Sequence, residues 1–118
     1  MSFDIPTASA AAAASAASRA RLLDAAADPV RLSIVFLLAR GDRLNVGDIA
    51  ARYPQMSRPA ISHHLKVLKD AAIVRNEKVG QEVHYWLDRE RIIDDLRALA
   101  AAIEDCCPPA PVRGDPGS

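Results

Sequence analysis

Cysteine is nearly absent from this sequence: among 118 residues only Cys106 and Cys107 carry thiols, and they are neighbours. An adjacent pair closes no useful loop, which excludes a disulfide framework. Aromatic residues are scarce, with one Trp, two Tyr and two Phe. Leu, Ile, Val and Ala must therefore build any core. Glycine occurs five times and never in the spacing of a phosphate-binding loop. There is no nucleophile elbow and no convincing His/Asp/Cys constellation, so an enzyme is not expected. No apolar stretch approaches a membrane span. Residues 8–17 are Ala and Ser without a preceding basic segment, too weakly hydrophobic for a secretory signal. A cytoplasmic protein with no membrane partner is expected.

A charge excess is missing too, since 15 Lys and Arg balance 15 Asp and Glu. The distribution is uneven, however. Between residues 52 and 81, six basic residues (Arg52, Arg58, Lys66, Lys69, Arg75 and Lys78) stand against Asp70 and Glu77. A basic middle within a neutral chain is the feature to explain.

What is present reads as one folded domain, because half of the residues are hydrophobic and the length leaves no room for a second core. Residues 1–17 form an extension, partly helical or disordered. From Ala8 to Ser18 it holds eight Ala and three Ser, a composition able to extend a helix to about Ala27, with order expected from about Ser15. Residues 18–105 form the domain. Residues 106–118 are the Cys-Cys pair and a Pro/Gly-rich tail, expected to be disordered.

Asp28-Pro29 is a helix start, with Asp as N-cap and Pro in the first turn. Leu32, Val35, Phe36 and Leu38 follow at helical spacing, and Gly41 ends the helix. Asn45 caps a third helix over 46–53, with Val46, Ile49 and Ala50 facing inward. Ser57 caps a fourth. There Ile61, Leu65, Leu68 and Ala72 fall on one face, and Ser62, His63, Lys66 and Lys69 on the other. The period then changes to two. Residues 73–77 and 81–87 read as the strands of a hairpin, joined by Lys78-Val79-Gly80. Asp88 caps a last helix over 89–105 with an apolar stripe of Ile92, Ile93, Leu96, Leu99, Ala100 and Ile103. The fold class is mainly α with a small β-hairpin.

Two short helices joined by a tight turn, the second with a basic polar face, make a helix-turn-helix, and a basic hairpin after it makes a wing. Any single Lys or Arg is usually a solvated charge. The joint occurrence of cap, turn, basic helix and basic hairpin points to duplex DNA. Ser57, Arg58, Ser62 and His63 lie where base edges are read. Lys66 and Lys69 suit the backbone, and Arg75, Lys78 and Gln81 belong to the wing tip. His64 lies closer to the packed side and orients the helix. Phe36, Tyr85 and Trp86 read as packing residues. A protein-binding winged helix is the competing class, which a basic Ser/Arg/His face disfavours.

Asp28-Pro29-Val30-Arg31-Leu32 and the run from Ser57 to Leu68 resemble the ArsR/SmtB family of winged helix-turn-helix repressors, and the segment from Gly80 to Leu87 resembles its wing. The resemblance covers residues 18–105. It implies a homodimeric repressor on a palindromic operator, released by a signal, with the first and last helices as dimer interface. Leu22, Ile92, Leu96, Leu99 and Ile103 are the residues for that contact. Two family metal sites are not intact. Where a Cys-x-Cys pair is found at the third helix, this chain has Asn45 and Gly47. Where an acid, two His and a Glu hold zinc, it has Asp88, Glu90, Ala101 and Glu104. The inducer is left open. Cys106 and Cys107 are the remaining candidates, as ligands of a thiophilic ion such as arsenite or as oxidisable thiols, with a third ligand from His84 or a partner subunit. The bland alternatives are two unremarkable tail thiols and a ligand-independent repressor.

Overall fold

The computed structural model describes residues 10–106. Its elements run α1 (Ala10–Ala26), α2 (Pro29–Leu38), β1 (Leu44–Asn45), α3 (Val46–Ala50), α4 (Arg58–Asp70), β2 (Val74–Val79), β3 (Glu82–Leu87) and α5 (Arg89–Cys106). The expected frayed end at residues 1–7, Cys107 and the Pro/Gly-rich tail lie outside the described residues. Within them α1 begins at Ala10, upstream of the order expected from Ser15.

Side-chain caps start the helices, and their bonds are local. Asp28 Oδ1 accepts from the N–H groups of Val30 at 2.8 Å and Arg31 at 3.1 Å, with Pro29 supplying a first residue that needs no partner. Asn45 and Asp48 form a reciprocal capping box: Asp48 N donates to Asn45 Oδ1 at 2.7 Å, and Asn45 N donates to Asp48 Oδ2 at 3.3 Å. Ser57 Oγ accepts from Ala60 N at 3.2 Å, and Asp88 Oδ1 from Arg91 N at 3.4 Å. The third helix is shorter than the sequence suggests. It ends at Ala50, and single turns carry the chain through Tyr53. There the Tyr53 hydroxyl sits 2.7 Å from Ser33 Oγ on α2.

The end of α4 uses a left-handed residue. Ala72 has φ of 61°. Its N–H donates to Lys69 O at 2.8 Å, and Ile73 N donates to Leu68 O at 2.9 Å. These two bonds define a Schellman motif, and the buried pair Leu68 and Ile73 supplies its apolar contact. A Cβ in this backbone region costs about 1–2 kcal/mol. Ala72→Gly is therefore expected to stabilise the fold by about 0.5–1 kcal/mol, part of the relief being lost to chain entropy. Urea midpoints would measure it, and a lower midpoint for the glycine variant would refute the strain.

The sheet has three antiparallel strands in the order β1-β3-β2. Leu44 pairs with Tyr85 and Asn45 with His84, while β2 pairs with β3 from Val74–Leu87 to Val79–Glu82. Two corrections follow. The expected two-stranded hairpin has a third strand, β1. The turn is Gly80-Gln81, not Lys78-Val79-Gly80, because Lys78 and Val79 remain in the ladder. Gly80 has φ of +66°, a conformation that favours glycine at the first position of a two-residue hairpin loop.

The core is wholly aliphatic, as the scarcity of aromatics requires. Leu22 and Ala25 from α1, Ile34 and Leu38 from α2, Ile49 from α3, Ile61, Leu65 and Leu68 from α4, Ile73 just before the sheet and Val74 at the start of β2 are buried together. Each fully buried Leu or Ile contributes about 1.5–3 kcal/mol. The face expected for α2 is corrected in part: Leu38 is buried as expected, but Leu32 and Phe36 are 39% and 66% exposed, and Ile34, not among the expected residues, is buried.

Candidate nucleic-acid interface

The aliphatic core holds α4 by one face and leaves the other to solvent. Ile61, Leu65 and Leu68 are fully buried, while Ser62, His63, Lys66 and Lys69 are exposed. The 4-3 spacing of the apolar residues produces this division. Before it, α3 packs against α4 across the turn of residues 51–57, completing the helix-turn-helix.

The start of α4 opens onto a groove lined by Asn45, Gly47, Asp48, Arg58, Gln81 and Glu82. Arg58 and Gln81 are thus brought together across it, although they are far apart in sequence. The Arg58 guanidinium reaches over α3: a Cβ built on Gly47 would stand 2.9 Å from its Nη2. Two carboxylates, Asp48 and Glu82, share the groove, which the sequence reading missed. Glu82 also ties the wing to the cap of α3. Its Oε2 accepts from Asn45 Nδ2 at 3.2 Å, and its Oε1 lies 3.3 Å from His84 Nε2. Ser57 is held as the N-cap of α4, so its hydroxyl keeps its hydrogen and one remaining lone pair to offer.

Of the lysines, Lys66 pairs with Asp70 at 2.9 Å, both side chains largely exposed. An exposed helix pair of this kind contributes only about 0.3–0.5 kcal/mol, so exchanging Asp70 for a phosphate costs little. Lys69 stands eleven residues beyond Arg58, about 16 Å along the helix axis. It lines a shallow depression with Arg75 and Asp88 at the base of the hairpin. Lys78 and Gln81 are exposed at the wing tip. Arg75 is not at the tip: it opposes Trp86 near the base of the ladder. Trp86 in turn carries the guanidinium of Arg43 at 3.9 Å from its ring centroid, and Arg43 also pairs with Glu77 at 3.2 Å. Nothing local in the sequence marks Arg43 for this role.

The residues named for a dimer contact divide. Leu22 is 5% exposed and belongs to the chain's own core, so it has almost no surface left for a partner. Ile92 is half-buried against that core. Leu99 lines an apolar groove between α1 and α5 with Ala16, Ala20, Leu23, Ala98 and Ala102. Leu96 and Ile103 are exposed, as are Leu23 and Ile93. Arg91 joins the two helices, its Nη2 donating to Ser18 Oγ at 3.1 Å.

For the thiols, Cys106 is the last residue of α5 and Cys107 lies outside the described residues. His84 of the same chain is far from Cys106 along the fold. It lies on the strand before α5, whereas Cys106 stands at the far end, about 25 Å away along the helix. Among the described residues no three His, Cys, Asp or Glu side chains gather as a metal site. Asp88 caps α5, and Glu90 and Glu104 are exposed on it, fourteen residues apart. No helix among the described residues is long and apolar enough to cross a membrane.

A helix-turn-helix with an exposed basic reading face, flanked by a hairpin latched to it, defines a winged helix-turn-helix DNA-binding protein. The description "Bacterial regulatory protein, arsR family" matches residues 28–76, from the cap of α2 into β2. The transcriptional repressor SdpR of Bacillus subtilis is 39% identical over 72 residues, covering 61% of this chain and 78% of that one. A probable mercury resistance operon repressor of Streptomyces lividans is 32% identical over 102 residues, covering 81% and 80%. A homodimeric winged helix-turn-helix DNA-binding domain of a possible ArsR-family regulator from Mycobacterium bovis superposes with a TM-score of 0.65 at 26% identity, covering 86% of this chain and 94% of that one. The chain belongs to the arsR family of bacterial transcriptional regulators, which are DNA-binding proteins and not enzymes.

Proposed function

We propose that residues 18–105 act in the cytoplasm as a homodimeric repressor on a palindromic operator. Ser57, Arg58, Ser62 and His63 read base edges in the major groove. Lys66 and Lys69 contact the phosphate backbone, and Lys78 and Gln81 of the wing reach the flanking duplex. The observation that carries this reading is the two-sided character of α4, with one face locked in the core and the other exposed, polar and basic. The dimer contact is formed by α1 and α5 through Leu96, Leu99 and Ile103, with Leu23 in place of the core residue Leu22. What supports it is the exposed apolar flank of α5 beside the Ala-lined groove, together with the homodimeric M. bovis neighbour.

The test is a titration of duplex DNA from the region upstream of the chain's own gene, at several salt concentrations, against a scrambled duplex. Arg58→Ala and His63→Ala are expected to weaken the specific duplex by about 1–3 kcal/mol each while changing the scrambled one much less. Lys66→Ala and Lys78→Ala are expected to weaken both alike and to reduce the salt slope by about one each. Wild-type behaviour of both reading-turn variants would move base recognition away from the start of α4. A sequence-selective loss from Lys78→Ala would contradict its phosphate role. Release by arsenite or an oxidant, lost in Cys106→Ser/Cys107→Ser, would make the end of α5 the sensor. Indifference to both would leave the thiols without that role.

A further inference from the structure

Arg31 occupies a corner where three helices meet. Its Nε donates to the carbonyl oxygen of Ala25, in the last turn of α1, at 2.6 Å. Its Nη1 lies 3.4 Å from Nδ1 of His64, in the middle of α4. Its backbone N–H donates to Asp28 in the cap of α2. Arg31, His64 and Asp28 are all half-buried. The Asp28 carboxyl is held below the usual carboxylate range, chiefly by the N–H of Arg31. Burial opposes this, while the N–H of Val30 and the charge of the Arg31 guanidinium lower it further.

The chemistry of the pair assigns its roles. A guanidinium only donates, so His64 Nδ1 accepts, and the ring proton sits on Nε2. Among the described residues, the buried side chains that pack α4 against α1 and α2 are aliphatic: Leu22, Ala25, Ile34 and Leu38 with Ile61, Leu65 and Leu68. Such contacts keep the apolar face of α4 turned inward but are non-directional, so they resist a small roll of the helix less sharply than a directional bond does. A bond between a planar fork and a ring nitrogen is directional. His64 follows His63 directly, about 100° further around the helix. Any roll of α4 that breaks the Arg31–His64 bond therefore swings Ser62, His63 and Lys66 on the exposed side by the same angle.

We infer that Arg31 and His64 are a positioning pair: the guanidinium, anchored on the last turn of α1, sets the roll of α4 through the His64 ring. In this way it fixes how the reading helix is presented relative to the helices of the dimer contact. The inference rests on the dimeric, operator-binding reading given above. His64 touches no DNA in this scheme, and Arg31 acts on the operator only through α4.

The experiment uses the full chain and a duplex that the wild type selects from a random-sequence library. A second duplex has its half-sites moved one base pair apart, and a third is scrambled. His64→Phe keeps the bulk and removes the acceptor. Arg31→Lys keeps the charge but replaces the planar fork, whose Nε and Nη1 face Ala25 and His64 separately, with one freely rotating ammonium. Both are expected to lose about tenfold on the selected duplex. Both should also discriminate less between the two half-site spacings, with scrambled-duplex binding, dimerisation and melting temperature close to wild type. His64→Asn, whose side-chain oxygen stands near the place of Nδ1, is expected to restore most of the loss. Wild-type affinity and spacing preference in both variants would overturn the inference. So would an equal loss on all three duplexes, which marks a contact that merely supports the fold. A wild-type protein that is monomeric, or that selects no duplex, would instead overturn the underlying dimeric reading, and the positioning role with it.

Discussion

Leu96→Asp together with Ile103→Asp is expected to leave a folded monomer that binds the operator more than about a thousandfold less tightly. The two residues lie seven apart on α5, on one flank of the helix, and are 45% and 58% exposed. The neighbouring flank, with Ala98, Leu99 and Ala102, is the one turned toward α1. In a single chain an aspartate at either position stays in water, and substitutions at such sites change stability by only about 0.5 kcal/mol or less. Across a dimer contact the same carboxylates would be desolvated without partners, at several kcal/mol per charge. Losing the dimer also removes the second half-site. A reading head alone keeps roughly half of the binding free energy, which turns nanomolar affinity into tens of micromolar. Sedimentation equilibrium, thermal melts and operator titration on the same samples would separate the steps. A variant that remains dimeric and binds normally would show that the contact lies elsewhere. A collapse of the melt would show that α5 is held by these residues within one chain.

The parts of this fold legible in the sequence are those decided by local chemistry. Asp28, Asn45, Ser57 and Asp88 each cap the helix expected of them, because a side chain bonding an N–H two or three residues on needs nothing from the rest of the molecule. The two faces of α4 were legible because its apolar and polar residues separate cleanly at helical spacing. What escaped was decided at long range. Strand β1 is two residues long, too short for any alternation, and exists because Leu44 and Asn45 find Tyr85 and His84 on β3. Arg43 reaches Glu77 and Trp86, and Arg58 comes to share a groove with Gln81, only after the wing has folded back. Leu22 shows a different limit: an apolar residue on a helix reads alike whether it is buried within the chain or against a partner.

Helix α2 is where the pattern misleads, and it carries the largest expected effect on stability. Its sequence, PVRLSIVFLL, is apolar almost all round. A period of 3.6 then cannot choose between the face of Leu32 and Phe36 and the face of Ile34 and Leu38. The surrounding helices choose: Ile34 is 0% exposed among Leu22, Ile61 and Leu65, whereas Phe36 is 66% exposed. Ile34→Ala is expected to cost about 2–5 kcal/mol, the lost transfer of the side chain plus the cavity it leaves. Against a total of about 5–15 kcal/mol for a domain, that is a large fraction. Phe36→Ala, although it removes the larger side chain, is expected to change stability by no more than about 0.5 kcal/mol. Urea midpoints of the two variants, taken at two protein concentrations, would decide. Equal losses would refute the burial assignment of α2. A loss for Phe36→Ala that deepens on dilution would put that ring in the contact between copies of the chain.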